Sequence, residues 1–174
     1  MNSKLLFGAA LLIALLFAAY VALSEVGRGS LPYFAYGANL DPSTLKARAG
    51  GFVGAQSAKL VGYRMVFQTN SFSAFGVANL EPGAGGQVAG ALYRLSDGQV
   101  DALDNEQGVP SFYRRQEVEV LLADGSEERA FTYVLAGEAI LRAPSRPYVL
   151  AASKGLNAFG YGQQEQYELA QAAK

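Results

Sequence analysis

Cysteine, histidine and tryptophan are all missing from this 174-residue chain. Without cysteine there is no disulfide, no thiolate nucleophile and no cysteine-ligated metal. Without histidine there is no Ser-His-Asp or Cys-His catalysis, no histidine-ligated zinc and no imidazole acid–base chemistry. If the protein is an enzyme, its proton-transfer group is expected to be a carboxylate, with Tyr and Lys behind it. An excess of one charge is missing too. The 14 basic and 15 acidic residues leave a net charge of −1, so no nucleic-acid partner is expected. There is no internal repeat, and the length suits one domain, or one domain plus an anchor.

What is present begins with a long apolar run. Residues 5–23 read LLFGAALLIALLFAAYVAL, with Lys4 before them and Glu25 after. As a helix this run would span about 28 Å, close to the hydrocarbon thickness of a bilayer. A cleaved signal has a shorter apolar stretch, so a transmembrane anchor over residues 1–24 is expected. The small residues of Ala22-Leu23-Ser24 leave a cleaved signal, and hence secretion, as the alternative. The short basic N-terminus places the soluble part outside the cytoplasm, although Arg28, Lys46 and Arg48 on the far side act against that orientation. Residues 25–30 carry Gly27 and Gly29 and read as a tether to a domain over residues 31–174.

Within that domain, short apolar runs alternate with turn signals. Strands are expected over 58–69, 76–80, 88–95, 116–123 and 129–136. The EPGAGG stretch at 81–86 reads as a hairpin turn between the second and third, and Asp124-Gly125 as the turn between the last two. Ser96 with Gln99 three residues later forms a capping box, and Gly108 followed by Pro110 gives a stop, so a helix is expected over 97–107. Further helices are expected over 148–156 and 163–172. The class is α+β, a small curled and mostly antiparallel β-sheet or barrel with flanking helices.

The segment YFAYGANL at 33–40 ends an aromatic strand in a glycine turn, and DPS then opens a short helix. Such a turn can present consecutive backbone N–H groups to a small anion, and Gly37 lets a ligand approach the backbone. An ordinary turn closing a core strand would have the same composition. A second segment separates the two readings. GALYRL at 90–95 leads into the capped helix, then LDNEQGVP at 103–110 and YRR at 113–115. The two segments in this order, with GVANL at 76–80 between them, resemble the γ-glutamylcyclotransferase family and its AIG2-like relatives over roughly residues 31–170.

The resemblance implies an intramolecular reaction. The free α-amine of a γ-glutamyl group attacks its own γ-carbonyl, 5-oxoproline forms and the amine on the γ side leaves, with no cofactor and no metal. It implies that backbone amides of Tyr36, Gly37, Ala38, Asn39 and Leu40 hold the α-carboxylate. It also implies that hydroxyls of Tyr36, Tyr113, Tyr133 and Tyr148 orient the γ-glutamyl amide and the base. Two departures stand out. Ala38 occupies the family's usual Ser, which leaves backbone donors intact. Gln107 occupies the position of the family's catalytic Glu, and an amide cannot take a proton. Glu106 is adjacent, but one helical residue is about 100° of rotation, so it is expected to point elsewhere.

Gln107 is consistent with an engineered Glu-to-Gln change, with a natural enzyme whose base is elsewhere, Glu106 being the candidate, or with a natural binding protein. The reading is a membrane-anchored cyclotransferase of γ-glutamyl amino acids or peptides, impaired or inactive as written. A non-catalytic γ-glutamyl-binding module and a membrane-tethered interaction domain are the alternatives.

Overall fold

The computed structural model describes residues 29–71 and 73–174. The apolar run at 5–23, and with it the expected anchor, lies outside the described residues. Among the described residues no helix is long and apolar enough to cross a membrane.

The first strand, β1 (Ser30–Ala35), buries Tyr33, Phe34 and Ala35 and ends in a 3-10 turn, Ala38–Leu40. Helix α1 (Pro42–Ala49) starts there for local reasons. The Asp41 carboxylate accepts from the Ser43 and Thr44 N–H groups, Pro42 needs no partner for its nitrogen, and Gly50 ends the helix at φ 77°. Leu45 and Ala49, four residues apart, face the core.

Two long strands follow, β2 (Gly54–Thr69) and β3 (Val77–Ser96). Here the expected hairpin over 81–86 is corrected. The segments at 77–80 and 88–95 belong to one strand that runs on through EPGAGG, antiparallel to β2, with Gly76 just before it. Val61 pairs with Gln87 and Tyr63 with Pro82, so residues 83–86 stand opposite Gly62 alone. The glycines build a bulge and not a reversal. Gly86 shows why a side chain is excluded: a Cβ there would lie 2.5 Å from the Tyr63 carbonyl oxygen.

Helix α2 (Asp97–Gln107) has the bounds expected of it. Gln99 accepts from the Ser96 N–H at 3.0 Å, and Gly108 turns the chain at φ 66°. Val100 and Leu103 anchor the helix in the core, each contributing roughly 1.5–3 kcal/mol by burial. Strands β4 (Tyr113–Leu122) and β5 (Glu127–Leu135) form the hairpin expected around Asp124-Gly125. A short β6 (Ile140–Leu141) and helices α3 (Arg146–Ala158) and α4 (Gln163–Ala172) complete the chain.

The strand order is β3-β1-β5-β4-β2-β6, and β3 also pairs with β2. The first five strands therefore close into a barrel, with β6 beside β2. Pairing is antiparallel in β2–β3, β2–β4, β2–β6 and β4–β5, while β1 runs parallel to β5 with Tyr33 opposite Phe131. Phe34, Leu92, Tyr93, Leu95, Leu103 and Val120 fill the interior. The buried Thr132 hydroxyl donates to the Phe34 carbonyl at 2.7 Å and ties β5 to β1. This closure brings the end of β1 and the end of α2 to one side.

Candidate active site

The turn after β1 is held in place from within. The Leu40 N–H donates to the Gly37 carbonyl at 2.9 Å, and the Asp41 N–H to the Ala38 carbonyl at 3.2 Å. Gly37 is buried between neighbours: a Cβ there would lie 2.5 Å from the Tyr148 hydroxyl and 3.0 Å from the Ala78 Cβ. The same hydroxyl oxygen accepts from the Ala78 N–H at 3.1 Å and is also hydrogen-bonded by the Ala38 backbone. Two backbone donors, one from the turn and one from β3, thus converge on a single oxygen. That is the donor geometry an anionic oxygen would use.

The end of α2 forms the opposite wall. Gln107 and Glu106 both line a cavity of about 210 Å³ shared with Gly37, Ala38 and Asn39. Glu106 therefore does not point elsewhere. It lies in the last turn of α2, where its long side chain bends toward Arg48, and its Oε1 is 3.6 Å from the Arg48 Nε. Arg48 in turn donates to the Asn39 Oδ1 at 2.7 Å, and the Asn39 Nδ2 donates to the Tyr33 hydroxyl at 3.0 Å. The turn is buried while the Glu106 side chain is 51% exposed, so the cavity has a closed end at the turn and an open end at α2.

Tyr36, Tyr113, Tyr133 and Tyr148 also line this cavity. Their hydroxyls are not equivalent. Tyr36 donates to the Tyr133 carbonyl at 2.7 Å, so its proton is committed to the protein. Tyr133 donates to the Asp104 Oδ1 at 2.6 Å, and Asp104 also accepts from the Arg115 Nε and Nη2. Burial pushes the phenols of Tyr33, Tyr36, Tyr113 and Tyr133 well above the ordinary tyrosine value. Burial raises Tyr148 too, against the two backbone hydrogen bonds that lower it. These groups stay protonated at neutral pH and serve as neutral hydrogen-bonding groups.

Leu40 is the one proposed binding residue that does not line this cavity. Its side chain is buried on the far side of the turn against Gly155 of α3, and its carbonyl accepts from the Tyr93 hydroxyl at 2.9 Å. Conversely, Tyr33, Arg48, Val77 and Ala78 line the cavity without having been singled out in the sequence. Arg48 carried a usable signal: it lies three residues after Leu45, on the inward side of a helix that directly follows the turn.

A larger cavity of about 440 Å³ lies between β2, β3, α3 and α4. Its cations are answered from within the protein, Lys59 by Glu165 at 3.5 Å and Arg64 by Glu81 at 2.6 Å. It contains neither Gln107 nor Gly37, which line the smaller cavity. Among the described residues no group of three or more carboxylates gathers to hold a metal ion.

The family described as gamma-glutamyl cyclotransferase, AIG2-like, matches residues 33–151. No curated protein matches the chain. Among solved structures, a gamma-glutamyl cyclotransferase is 25% identical, with a TM-score of 0.72 over 83% of this chain and 88% of its own. An uncharacterized protein from Homo sapiens is 24% identical, with a TM-score of 0.74 over 84% of this chain and 89% of its own, a likeness of fold. A glutathione-specific gamma-glutamyl cyclotransferase from yeast shares the fold at 12% identity, with a TM-score of 0.58 over 83% and 97%.

Proposed function

The chain belongs to the AIG2-like gamma-glutamyl cyclotransferase family, and from that premise we propose that the smaller cavity binds a γ-glutamyl group and closes it to 5-oxoproline. The observation that carries the reading is the shared cavity: the glycine turn and the end of α2, far apart in sequence, line one space. In this reading the α-carboxylate enters the closed end and displaces the Tyr148 hydroxyl oxygen from the backbone donors at Ala38 and Ala78. The γ-amide lies toward Glu106 and Gln107. A cavity of about 210 Å³ holds the ring-closing unit, and the departing group extends through the open end. Substrates are γ-glutamyl amino acids or short γ-glutamyl peptides.

The reaction forms one bond and breaks one. The α-nitrogen bonds to the γ-carbonyl carbon, and the bond from that carbon to the leaving nitrogen breaks. Holding the chain folded so that nucleophile and carbonyl touch supplies much of the acceleration. The developing negative charge on the carbonyl oxygen is met by fixed donors, here the Tyr113 hydroxyl and the Gln107 amide, since the Tyr36 and Tyr133 protons are committed within the protein.

Gln107 itself favours a second reading, a γ-glutamyl-binding module without turnover, because an amide cannot carry the proton. One experiment separates the two. The full chain is incubated with a γ-glutamyl dipeptide, and binding, 5-oxoproline and the released amino acid are measured. Equal release of both products supports the enzyme. Binding without products supports the module, and the absence of both defeats the site assignment.

The apolar run at 5–23 supports a further proposal, that the domain is tethered to a membrane and faces away from the cytoplasm. Uncleaved full-length chain in the soluble fraction without detergent would count against it.

A further inference from the structure

We infer that Glu106, positioned by Arg48, is the proton-transfer carboxylate of this site in place of residue 107. The inference rests on the cyclisation reading above. Three observations carry it. Among the described residues that line the cavity, Glu106 is the only carboxylate. Its Oε1 lies 3.6 Å from the Arg48 Nε, so a side chain that would otherwise sample solvent has a partner at the cavity mouth. Arg48 also donates to the Asn39 Oδ1 at 2.7 Å, which links the carboxylate through one guanidinium to the turn that receives the substrate. A planar guanidinium with donors on two sides suits this double duty better than a point charge. Gln107, beside it in the same cavity, retains a hydrogen-bonding amide for the γ-carbonyl or the leaving nitrogen.

The proton balance fits one relay. The α-ammonium gives up two protons as it becomes the lactam nitrogen, and the leaving nitrogen takes up two as it departs as an ammonium. Glu106 takes one proton from the α-nitrogen as the new C–N bond forms, and returns it to the leaving nitrogen as the old C–N bond breaks. The second proton passes through solvent at the open end, where the Glu106 side chain is 51% exposed. Arg48 touches neither reacting nitrogen in this scheme and acts as a positioning residue.

The test uses the full chain and a γ-glutamyl dipeptide. Four variants are compared after thermal melts show them folded: Glu106→Gln, Glu106→Ala, Arg48→Lys and Gln107→Glu. Glu106→Gln is expected to lower kcat by about 10²-fold or more while dipeptide affinity changes little. Glu106→Ala is expected to recover part of its turnover when formate is added, because a small carboxylate can enter the exposed mouth. Arg48→Lys is expected to lower kcat while leaving dipeptide affinity within a few-fold, a split that a purely structural defect would not produce. Full turnover in both folded Glu106 variants would overturn the inference. An inactive but dipeptide-binding chain that gains turnover on Gln107→Glu would also overturn it, and would leave the cyclisation site intact. Neither binding nor turnover in any variant would remove both.

Discussion

Gly37 shows how much one missing Cβ decides. It sits where the backbone of the turn, the Tyr148 hydroxyl and β3 meet, and an added methyl would lie 2.5 Å from that hydroxyl. Gly37→Ala is therefore expected to push Tyr148 out of line and disturb the converging Ala38 and Ala78 donors. Calorimetry with a γ-glutamyl dipeptide should show affinity reduced by about tenfold or more, near 1.4 kcal/mol. Unchanged binding in a folded variant would mean that the closed end is not where the carboxylate goes. The tyrosines teach a second lesson at this scale. All four line the cavity, yet Tyr36 and Tyr133 spend their protons on the protein itself. Tyr133 belongs to a unit with Asp104 and Arg115 that fixes the wall, a role that residue type alone does not reveal.

Among the elements, α1 links cap chemistry to the site, because the helix that Asp41 starts is the one that carries Arg48. Burial pushes the Asp41 carboxyl up, but hydrogen bonds from Ser43 and Thr44 outweigh it and hold it below the ordinary value. The sign follows: a depressed carboxylate contributes stability above its unfolded value, near pH 3.9, and loses it as pH falls through the folded value. Asp41→Ala is expected to lower the unfolding free energy at pH 7 by roughly 0.5–2 kcal/mol, with the gap to the parent narrowing in acid. Urea titrations at pH 7 and at pH 3 make the comparison; an equal gap at both would refute the charged cap. In the long strands, the bulge at residues 83–86 lets one strand bend along the barrel where two straight strands and a turn would leave it open.

For the whole molecule, the buried phenols of Tyr33, Tyr36, Tyr93 and Tyr133 form a shared property of the barrel and the site. Burial raises each one well above the ordinary tyrosine value. The folded protein then binds more protons than the unfolded chain above about pH 10, so stability is whole below that pH and falls as pH rises further. Each phenol that stays protonated contributes a slope of about 1.4 kcal/mol per pH unit. Alkaline titration is expected to show tyrosinate absorbance from these residues appearing together with unfolding. Early ionisation of all ten tyrosines in a still-folded protein would contradict this.

The sequence by itself determined what acts over a few residues. The Ser96–Gln99 cap and Gly108 bounded α2, Asp124-Gly125 reversed the chain between β4 and β5, and Gly37 marked the turn after β1. Caps and turns are satisfied by neighbours along the chain, so composition and spacing suffice to locate them. Only the tertiary structure decided the rest. It made one strand of residues 77–96, because a glycine-rich stretch becomes turn or bulge according to the partner strand it meets, and that partner is β2. It closed the barrel through pairings that no local pattern encodes. It brought Glu106 of α2 to the cavity mouth beside Arg48 of α1, with the Oε1 3.6 Å from the Nε, a meeting between two helices that no local pattern encodes. Local rules set where each element begins and ends; side chains far apart in sequence meet only after the strands have paired.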